Sequence, residues 1–331
     1  MKAFIYKKYG GPDVLNLKKI DDPIPKDNEI LIEVYAISVN AGDLHLLRGY
    51  PLIMRIISGI FKPKNKILGG DVSGCVKKIG NNVKQFNIGD HVFGISPLLT
   101  KYGYGTFAEY VCIPEDLLVH KPTNISFEKA ACLPTAGMTA LQGIRNEVKI
   151  KSGQKILING ASGGVGTFAI QIAKSFGAEV TSVCSTKHIE TINSIGSDYV
   201  IDYKKEDFTK IKKRYDLILA VNGYLGIFDY KKLLNDKGVY VMTGGSNLQM
   251  FQSILIGPLV SVFTNKKMGN LLMKPNKEDL LFIKKLVESN KIISIVDKTY
   301  NFEEIPEAIK YLEEGHANGK VVINIKKNNY I

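Results

Sequence analysis

Lys155-Ile-Leu-Ile-Asn159 is a short apolar run that leads straight into Gly160-Ala-Ser-Gly-Gly-Val-Gly166, and the segment from Val165 to Phe176 then carries small and apolar residues on most faces. This order of residue types predicts a buried strand, a glycine-rich turn and a helix. Glycines let a backbone close on a large anion, whose charge the first N–H groups of the helix and its macrodipole hold. A glycine-rich string alone marks many ordinary loops, so its surroundings decide. Downstream the rhythm repeats: Glu179 to Cys184, a polar helix, Tyr199 to Tyr203, a short helix, Tyr215 to Val221, a helix near Tyr230, and Gly238 to Thr243. Strands alternating with helices at this spacing predict parallel βαβ units and hence a doubly wound α/β sheet. In such a sheet Ser162, Gly163, Gly164, Val165 and Gly166 form the turn that meets a dinucleotide pyrophosphate.

The end of the second strand bears on which dinucleotide. About 20 residues past the turn an NAD site places an acid on the ribose hydroxyls, whereas a 2′-phosphate needs neutral or cationic groups. Here the chain reads Cys184-Ser-Thr-Lys-His188, with no acid until Glu190. Ser185 and Lys187 suit a 2′-phosphate, which predicts NADP as cofactor in its reduced form, NADPH; the plainer reading is that Ser185 caps the next helix and Lys187 is solvated. Thr243-Gly-Gly245 ends a strand where a nicotinamide belongs, and bare backbone at Thr243, Gly244 and Gly245 suits its carboxamide.

Around this core, 331 residues suffice for about two domains. With 45% hydrophobic and 23% charged residues the composition fits neither disorder nor a fibre. The net charge of +12 comes from scattered lysines, so it predicts an affinity for anionic ligands rather than specific nucleic-acid binding. Cys75, Cys112, Cys132 and Cys184 lie far apart, which encodes neither a zinc ribbon nor a disulfide framework. The first 120 residues read as β structure, with Lys2 to Lys8, Ile30 to Val39 and Phe107 to Ile113 as strands. A charged helix after Lys277 and a strand from Val321 to Ile325 close the chain. Met1 to Lys7 lacks the apolar core of a signal peptide, and Ser253 to Phe263 is broken by Gly257 and Pro258, so a cytoplasmic location is expected.

Six stretches, the turn among them, carry a resemblance: Val39-Asn-Ala-Gly-Asp-Leu-His-Leu-Leu-Arg-Gly49, Gly69-Gly-Asp-Val-Ser-Gly74, Gly103-Tyr-Gly-Thr-Phe-Ala-Glu-Tyr110, Leu133-Pro-Thr-Ala-Gly-Met-Thr-Ala-Leu-Gln142, Ala161-Ser-Gly-Gly-Val-Gly166 and Gly315-His-Ala-Asn-Gly-Lys-Val-Val322. In this order they resemble the medium-chain dehydrogenase/reductase superfamily, and most of all its zinc-free quinone oxidoreductase branch, which includes zeta-crystallin-like proteins. The resemblance implies a GroES-like β domain over 1–123, completed by 273–331, and a Rossmann NADP-binding domain over 124–272. Zinc-dependent members carry Cys where this chain has Asn40, His where it has Gly70 and usually Cys where it has Thr135. Amide, glycine and hydroxyl do not replace thiolate and imidazole, so no catalytic metal is expected. The loop of four cysteines that holds a structural zinc is replaced by the short stretch Gly94 to Gly105, and His45, His91, His120, His188 and His316 show no ligand spacing. Without a Lewis acid, reduction of a quinone or an α,β-unsaturated carbonyl becomes the expected reaction. An enoyl-thioester reductase, a zinc-free alcohol dehydrogenase-like enzyme and a non-catalytic NADPH-binding sensor or RNA- or partner-binding protein are the alternatives.

By the same resemblance Asn40 lies near the nicotinamide and donates to a carbonyl oxygen; equally it caps a helix starting at Ala41. Asp43 orients that loop. His45 matches the proton-relay histidine of alcohol dehydrogenases, or is a hydrogen-bonded structural residue, and Tyr50 is a second candidate proton donor. Thr139 matches a threonine beside the nicotinamide ring. Tyr203 packs near the 2′-phosphate or is an exposed strand-end aromatic, and Lys320 reaches the pyrophosphate or is a surface lysine. Ala220-Val-Asn-Gly223 and Asn318 depart from the family pattern and put a ribose and a phosphate contact in doubt. A small, lipophilic substrate and a homodimer joined at the sheet edge are the implied partners. The apolar segments Pro51 to Phe61 and Phe251 to Phe263, each followed by lysines, read as core or as weak peripheral contact with a membrane, and by the resemblance the first borders the substrate cleft as a hydrophobic lid.

Overall fold

The computed structural model describes residues 1–97, 105–146, 148 and 150–326. Gly103 and Tyr104 of the third quoted stretch, and residues 98–104 of the stretch read as replacing the structural-zinc loop, lie outside the described residues. The chain forms two compact units: one from Met1–Thr135, Pro275–Ser289 and Ser294–Ile331, the other from Ala136–Lys274 and Asn290–Ile293.

The first unit is built on a mostly antiparallel sheet. Strands β1 (Lys2–Ile5) and β2 (Asn16–Lys19) form a small ribbon; β3 (Glu29–Val39), β4 (Asp71–Ile79), β5 (His91–Ile95), β6 (Tyr110–Pro114) and β7 (Leu118–His120) belong to the main sheet. Two strands from the end of the chain, β14 (Val296–Asn301) and β15 (Lys320–Asn324), complete it in the order β14-β15-β3-β4-β5-β7, with β6 also on β3. β3 is almost wholly buried because it lies between β4, β6 and β15, which is why it reads as a continuous apolar run. The helices of this unit are α1 (Ala41–Arg48), α2 (Ile53–Ser58), α3 (Phe127–Ala131), α10 (Lys277–Glu288) and α11 (Ile305–Glu313). α1 ends where Gly49 adopts φ 59°, a left-handed stop that glycine takes without strain. The apolar core gathers Phe4, Tyr6, Ile30, Ile32, Leu47, Phe107, Ile305 and Val321 among others.

The second unit is a six-stranded parallel sheet of order β10-β9-β8-β11-β12-β13, made of β8 (Lys155–Asn159), β9 (Glu179–Cys184), β10 (Tyr199–Asp202), β11 (Tyr215–Ala220), β12 (Leu234–Met242) and β13 (Lys267–Asn270). The order steps outward from β8 in both directions, the arrangement of a Rossmann sheet with its switch point between β8 and β11. Helices α4 (Pro134–Arg145), which begins in the first unit, α5 (Gly164–Ser175), α6 (Ile189–Ser194), α7 (Ile227–Leu233), α8 (Asn247–Phe251) and α9 (Gly257–Phe263) accompany it.

Three differences from the sequence reading have local causes. The first unit runs past the expected boundary at residue 123, because Phe127 of α3 packs 4.5 Å from the ring of Tyr35 and 4.9 Å from that of His91. β1 stops at Ile5, since the Tyr6 N–H turns to Lys66 O. The strand expected from Phe107 starts only at Tyr110, since Phe107 O accepts instead from Phe4 N of the small ribbon and the Phe107 N–H donates to Leu68 O outside any strand. β13 and β14, both short and largely polar, escaped the apolar pattern altogether.

Candidate active site

In the second unit the turn after β8 is closed by its own backbone. Gly160 holds φ +83°, and a Cβ there would lie 2.7 Å from Asn222 N. A Cβ on Gly166 would stand 2.4 Å from Gly160 O and 2.6 Å from Ala161 O, so only glycine lets the helix start this close to the turn. Gly163 is the N-cap of α5, and the nearest atom to a Cβ there is 3.7 Å away, which leaves its outer side open. Gly164, Val165 and Gly166 are the first helical residues, whose N–H groups have no acceptor within the helix. With half-buried Ser162 they form an anion cradle at the switch point, and this cradle fits a dinucleotide pyrophosphate.

Ser185, Lys187 and Tyr203 come together at the neighbouring ends of β9 and β10, where the Tyr203 N–H donates to Cys184 O at 3.1 Å. Ser185 is buried and takes the N-cap position, yet its side chain makes no cap bond. Lys187 and Tyr203 are exposed. Sequence reasoning missed Asp202, whose Oδ2 accepts from Thr186 Oγ1 at 2.6 Å and whose Oδ1 accepts from Lys204 N at 3.0 Å. The Thr186 bond, with Lys204 and Lys205 close by, holds its carboxyl below the usual range, so the acid at this corner is ionised but already satisfied.

At the ends of β11 and β12, the Thr243 N–H donates to Ala220 O and Gly245 bridges Gly223. A Cβ on Gly244 would stand 2.4 Å from Val221 O, so the bare backbone expected here is also a packing requirement. Thr243 Oγ1 is buried without a hydrogen-bond partner among the described residues. Beneath lies a polar cluster that the sequence did not reveal: Asn159 Nδ2 donates to Tyr230 Oη at 2.6 Å and Gln249 Nε2 to Tyr240 Oη at 2.8 Å. Burial raises both phenols, Tyr230 to about 12, which keeps them neutral. Gly223, which ends the departing stretch Ala220-Val-Asn-Gly223, is needed here, since a Cβ on residue 223 would sit 2.2 Å from the Tyr230 hydroxyl. Thr139 is half-buried on α4.

The first unit gathers Asn40, Asp43 and Lys320 around an acid that was not singled out, Asp71. This carboxylate is fully buried and accepts five hydrogen bonds. Oδ1 takes Thr135 N at 2.9 Å and Thr135 Oγ1 at 2.6 Å. Oδ2 takes Ser38 Oγ at 2.6 Å, Asn40 Nδ2 at 2.9 Å and Lys320 Nζ at 3.4 Å. Lys320 also donates to Asn40 Oδ1 at 2.5 Å and to Val39 O at 3.4 Å. It is neither the surface lysine nor the phosphate ligand expected of it, because its charge is committed to Asp71 and Asn40. The Asn40 amide is likewise spent: Nδ2 serves Asp71 and, at 3.4 Å, Ser38 O, so it does not stand as a donor to a substrate carbonyl. Asn40 does occupy the N-cap of α1, but the reciprocal bond there is made by Asp43, whose Oδ2 accepts from Asn40 N at 2.8 Å. Burial pushes the Asp43 carboxyl up to about 7, aided by the charge of Asp71 and opposed by the N–H groups of Asn40 and Gly69 and by Lys320.

His45 and Tyr50 lie at the far end of α1. His45 Nδ1 is 3.0 Å from Tyr50 O, and both side chains are exposed around a depression that Leu44, Arg48 and Leu52 help to line. A carbonyl partner at Nδ1 assigns the ring hydrogen to that nitrogen, so Nε2 can donate only from the imidazolium.

The Alcohol dehydrogenase GroES-like domain family matches residues 26–123 and the Zinc-binding dehydrogenase family residues 195–323. The chain is 32% identical over 335 residues to the Chloroplast envelope quinone oxidoreductase homolog of Arabidopsis thaliana, covering 98% of each. It is 34% identical to the NADPH-dependent alkenal/one oxidoreductase, chloroplastic, of the same plant, covering 98% of this chain and 79% of that one. The solved quinone oxidoreductase from Coxiella burnetii superimposes with a TM-score of 0.87 at 31% identity, covering 98% and 99%. The chain therefore belongs to the medium-chain dehydrogenase/reductase superfamily, in its quinone oxidoreductase branch, and is an oxidoreductase. The zinc that one family description names does not fit the residues present. Asn40, Gly70 and Thr135 supply no thiolate or imidazole, and the Lys320 ammonium stands 2.5 Å from Asn40 Oδ1.

Two outcomes follow for stability. Lys320→Met should cost about 3–5 kcal/mol in chemical denaturation by leaving the Asp71 charge under-compensated. Adding Asp71→Asn should restore part of it, and strictly additive losses would contradict the pairing. Because Asp43 is raised in the folded state, its contribution is full at acid pH and is lost as pH rises through about 7. Asp43→Asn should therefore flatten the fall in melting temperature between about pH 4 and 7; parallel curves would dismiss Asp43 as its source.

Proposed function

We propose that the second unit binds NADPH and that the enzyme uses it, without a metal, to reduce quinones or α,β-unsaturated carbonyl compounds. The observation that carries this reading is the anion cradle of Gly163 to Gly166 together with the hydroxyl and cation at the adjoining strand ends, Ser185 and Lys187. Asp202, an acid found at that corner, is turned to Thr186 and Lys204. A 2′-phosphate is thus met by donors, and Tyr203 supplies an aromatic face beside them. Thr243 Oγ1, buried and without a partner among the described residues, and the bare backbone of Gly244 and Gly245 suit a nicotinamide carboxamide. Two names support the reading: one relative is an NADPH-dependent alkenal/one oxidoreductase, another a quinone oxidoreductase homolog.

When bound, the cofactor supplies hydride. An enone or quinone accepts it readily because its own carbonyl spreads the developing charge, which makes a Lewis acid dispensable. With Asn40 and Lys320 committed to Asp71, proton delivery falls to His45 and Tyr50 in the first unit. In the second unit the edge strand β13, flanked by exposed Phe251, Leu255, Leu259 and Phe263, suits pairing with a second copy into a homodimer.

Lys187→Glu should weaken NADPH by about 1–3 kcal/mol and NADH far less, read by titrating both. Equal losses would refute the 2′-phosphate assignment. His45→Phe should keep NADPH affinity and lower turnover of enones by about 10²–10⁴-fold, with a smaller defect for quinones, which can take protons after release. Slight and equal losses on both substrates would leave His45 a structural residue.

A further inference from the structure

Between Asp43 and Asp71 the chain carries Arg48, Arg55, Lys62, Lys64 and Lys66 and no acid at all. The same stretch builds an apolar face. No residue of α2 is buried: Leu52 and Ile56 are 69% and 65% exposed, and Ile60 and Phe61 just beyond the helix are 61% and 95% exposed. The core reading of this segment is therefore corrected. Contiguous branched and aromatic side chains held in water mark a surface meant to be covered.

The face is anchored. Gly59 turns at φ +126°, where a Cβ would strike Lys62 O at 2.2 Å, and the Lys64 N–H donates to Ser58 O at 2.8 Å. The Tyr9 hydroxyl lies 2.9 Å from Ser58 Oγ and donates to Gly59 O at 2.5 Å. Arg55 donates to Gly49 O at 3.1 Å and lies over the Tyr9 ring at 4.9 Å. The turn that presents Ile60 and Phe61 is thereby tied to the body of the first unit, with exposed Lys62, Lys64 and Lys66 directly behind it.

The charge selects the occupant. Arg48 is already paired with Glu313 at 2.7 Å, and a second copy would bring the same lysines against Lys62, Lys64 and Lys66, with no acid in the stretch to meet them. An apolar tip backed by lysines matches a bilayer whose headgroups carry phosphate and net negative charge, with the side chains at the acyl boundary and the ammonium groups on the phosphates. We propose that residues 52–66 dock the protein reversibly on anionic phospholipid membranes, with Ile60 and Phe61 inserted. This inference stands independently of the cofactor and substrate assigned above.

Co-sedimentation of the full chain with vesicles tests it, using phosphatidylcholine alone and phosphatidylcholine mixed with phosphatidylglycerol. Binding should require phosphatidylglycerol and weaken with salt, a result that needs no variant. Replacing Lys62, Lys64 and Lys66 together by Gln should lower partitioning tenfold or more, given on the order of fivefold per lysine. Ile60→Ser with Phe61→Ser should lower it by about tenfold. Both variants should keep the circular dichroism spectrum and NADPH-dependent turnover of a water-soluble enone. The proposal is overturned by absence of binding, by equal binding to neutral vesicles, or by variants that bind like the parent. Loss on Phe263→Ser alone would move the contact to the other apolar segment, and a lower sedimentation mass for the Ile60/Phe61 variant would make the face a protein interface; either overturns it too.

Discussion

A carboxylate with no access to water has to be given hydrogens by the protein, and Asp71 imposes that demand on the whole first unit. Its donors are four residues from three places in the chain: Ser38 and Asn40 around the end of β3, Thr135 near the start of α4, and Lys320 at the start of β15, 249 residues away. Meeting the demand fixes which way the Asn40 amide faces, where α1 begins and how the last strand registers on β3. The same constraint decides chemistry. The resemblance implies metal ligands in zinc-dependent members at the places of Asn40, Gly70 and Thr135, whereas here the Lys320 ammonium stands against Asn40, charge-balanced by one carboxylate and oriented by one amide. Its pull is spent internally, and in the proposed reaction substrate activation is left to the substrate's own conjugated carbonyl.

The second unit obeys a different constraint, close approach of backbone to backbone. Gly160, Gly166, Gly223 and Gly244 each sit where a Cβ would run into a neighbouring atom, and together they shape the strand ends that face a dinucleotide. Beneath, Asn159, Tyr230, Gln249 and Tyr240 exchange hydrogen bonds that hold those ends in place. The cluster is satisfied only in part, since Gln249 Oε1 is buried with no hydrogen-bond partner among the described residues.

Much of this was legible in the sequence, because β8, its turn and α5 combine residue types that few other structures need. The helices α5 and α10 and the strands β8, β9 and β15 fell within a residue or two of their expected ends. What escaped was what depends on partners distant in the chain. β13 and β14 are too polar to announce themselves and exist because a neighbouring strand offers its edge. Asn40 and Lys320 each had a plausible outward role, and nothing local said that Asp71 would claim both. The signal was present in retrospect: an acid inside the buried run Gly69 to Cys75 needs donors, and the sequence says so without saying which.

Asn40, Gly70 and Thr135 offer no thiolate or imidazole, and the Lys320 ammonium stands against Asn40 instead, which is why the proposed reaction runs without a metal. The most direct measurement pairs metal content with activity: elemental analysis of the purified enzyme before and after dialysis against a chelator, with NADPH-dependent enone reduction assayed on the same samples. Zinc well below one per chain and unchanged turnover are the predicted result. Stoichiometric zinc, with activity that disappears on chelation and returns when zinc is restored, would contradict it.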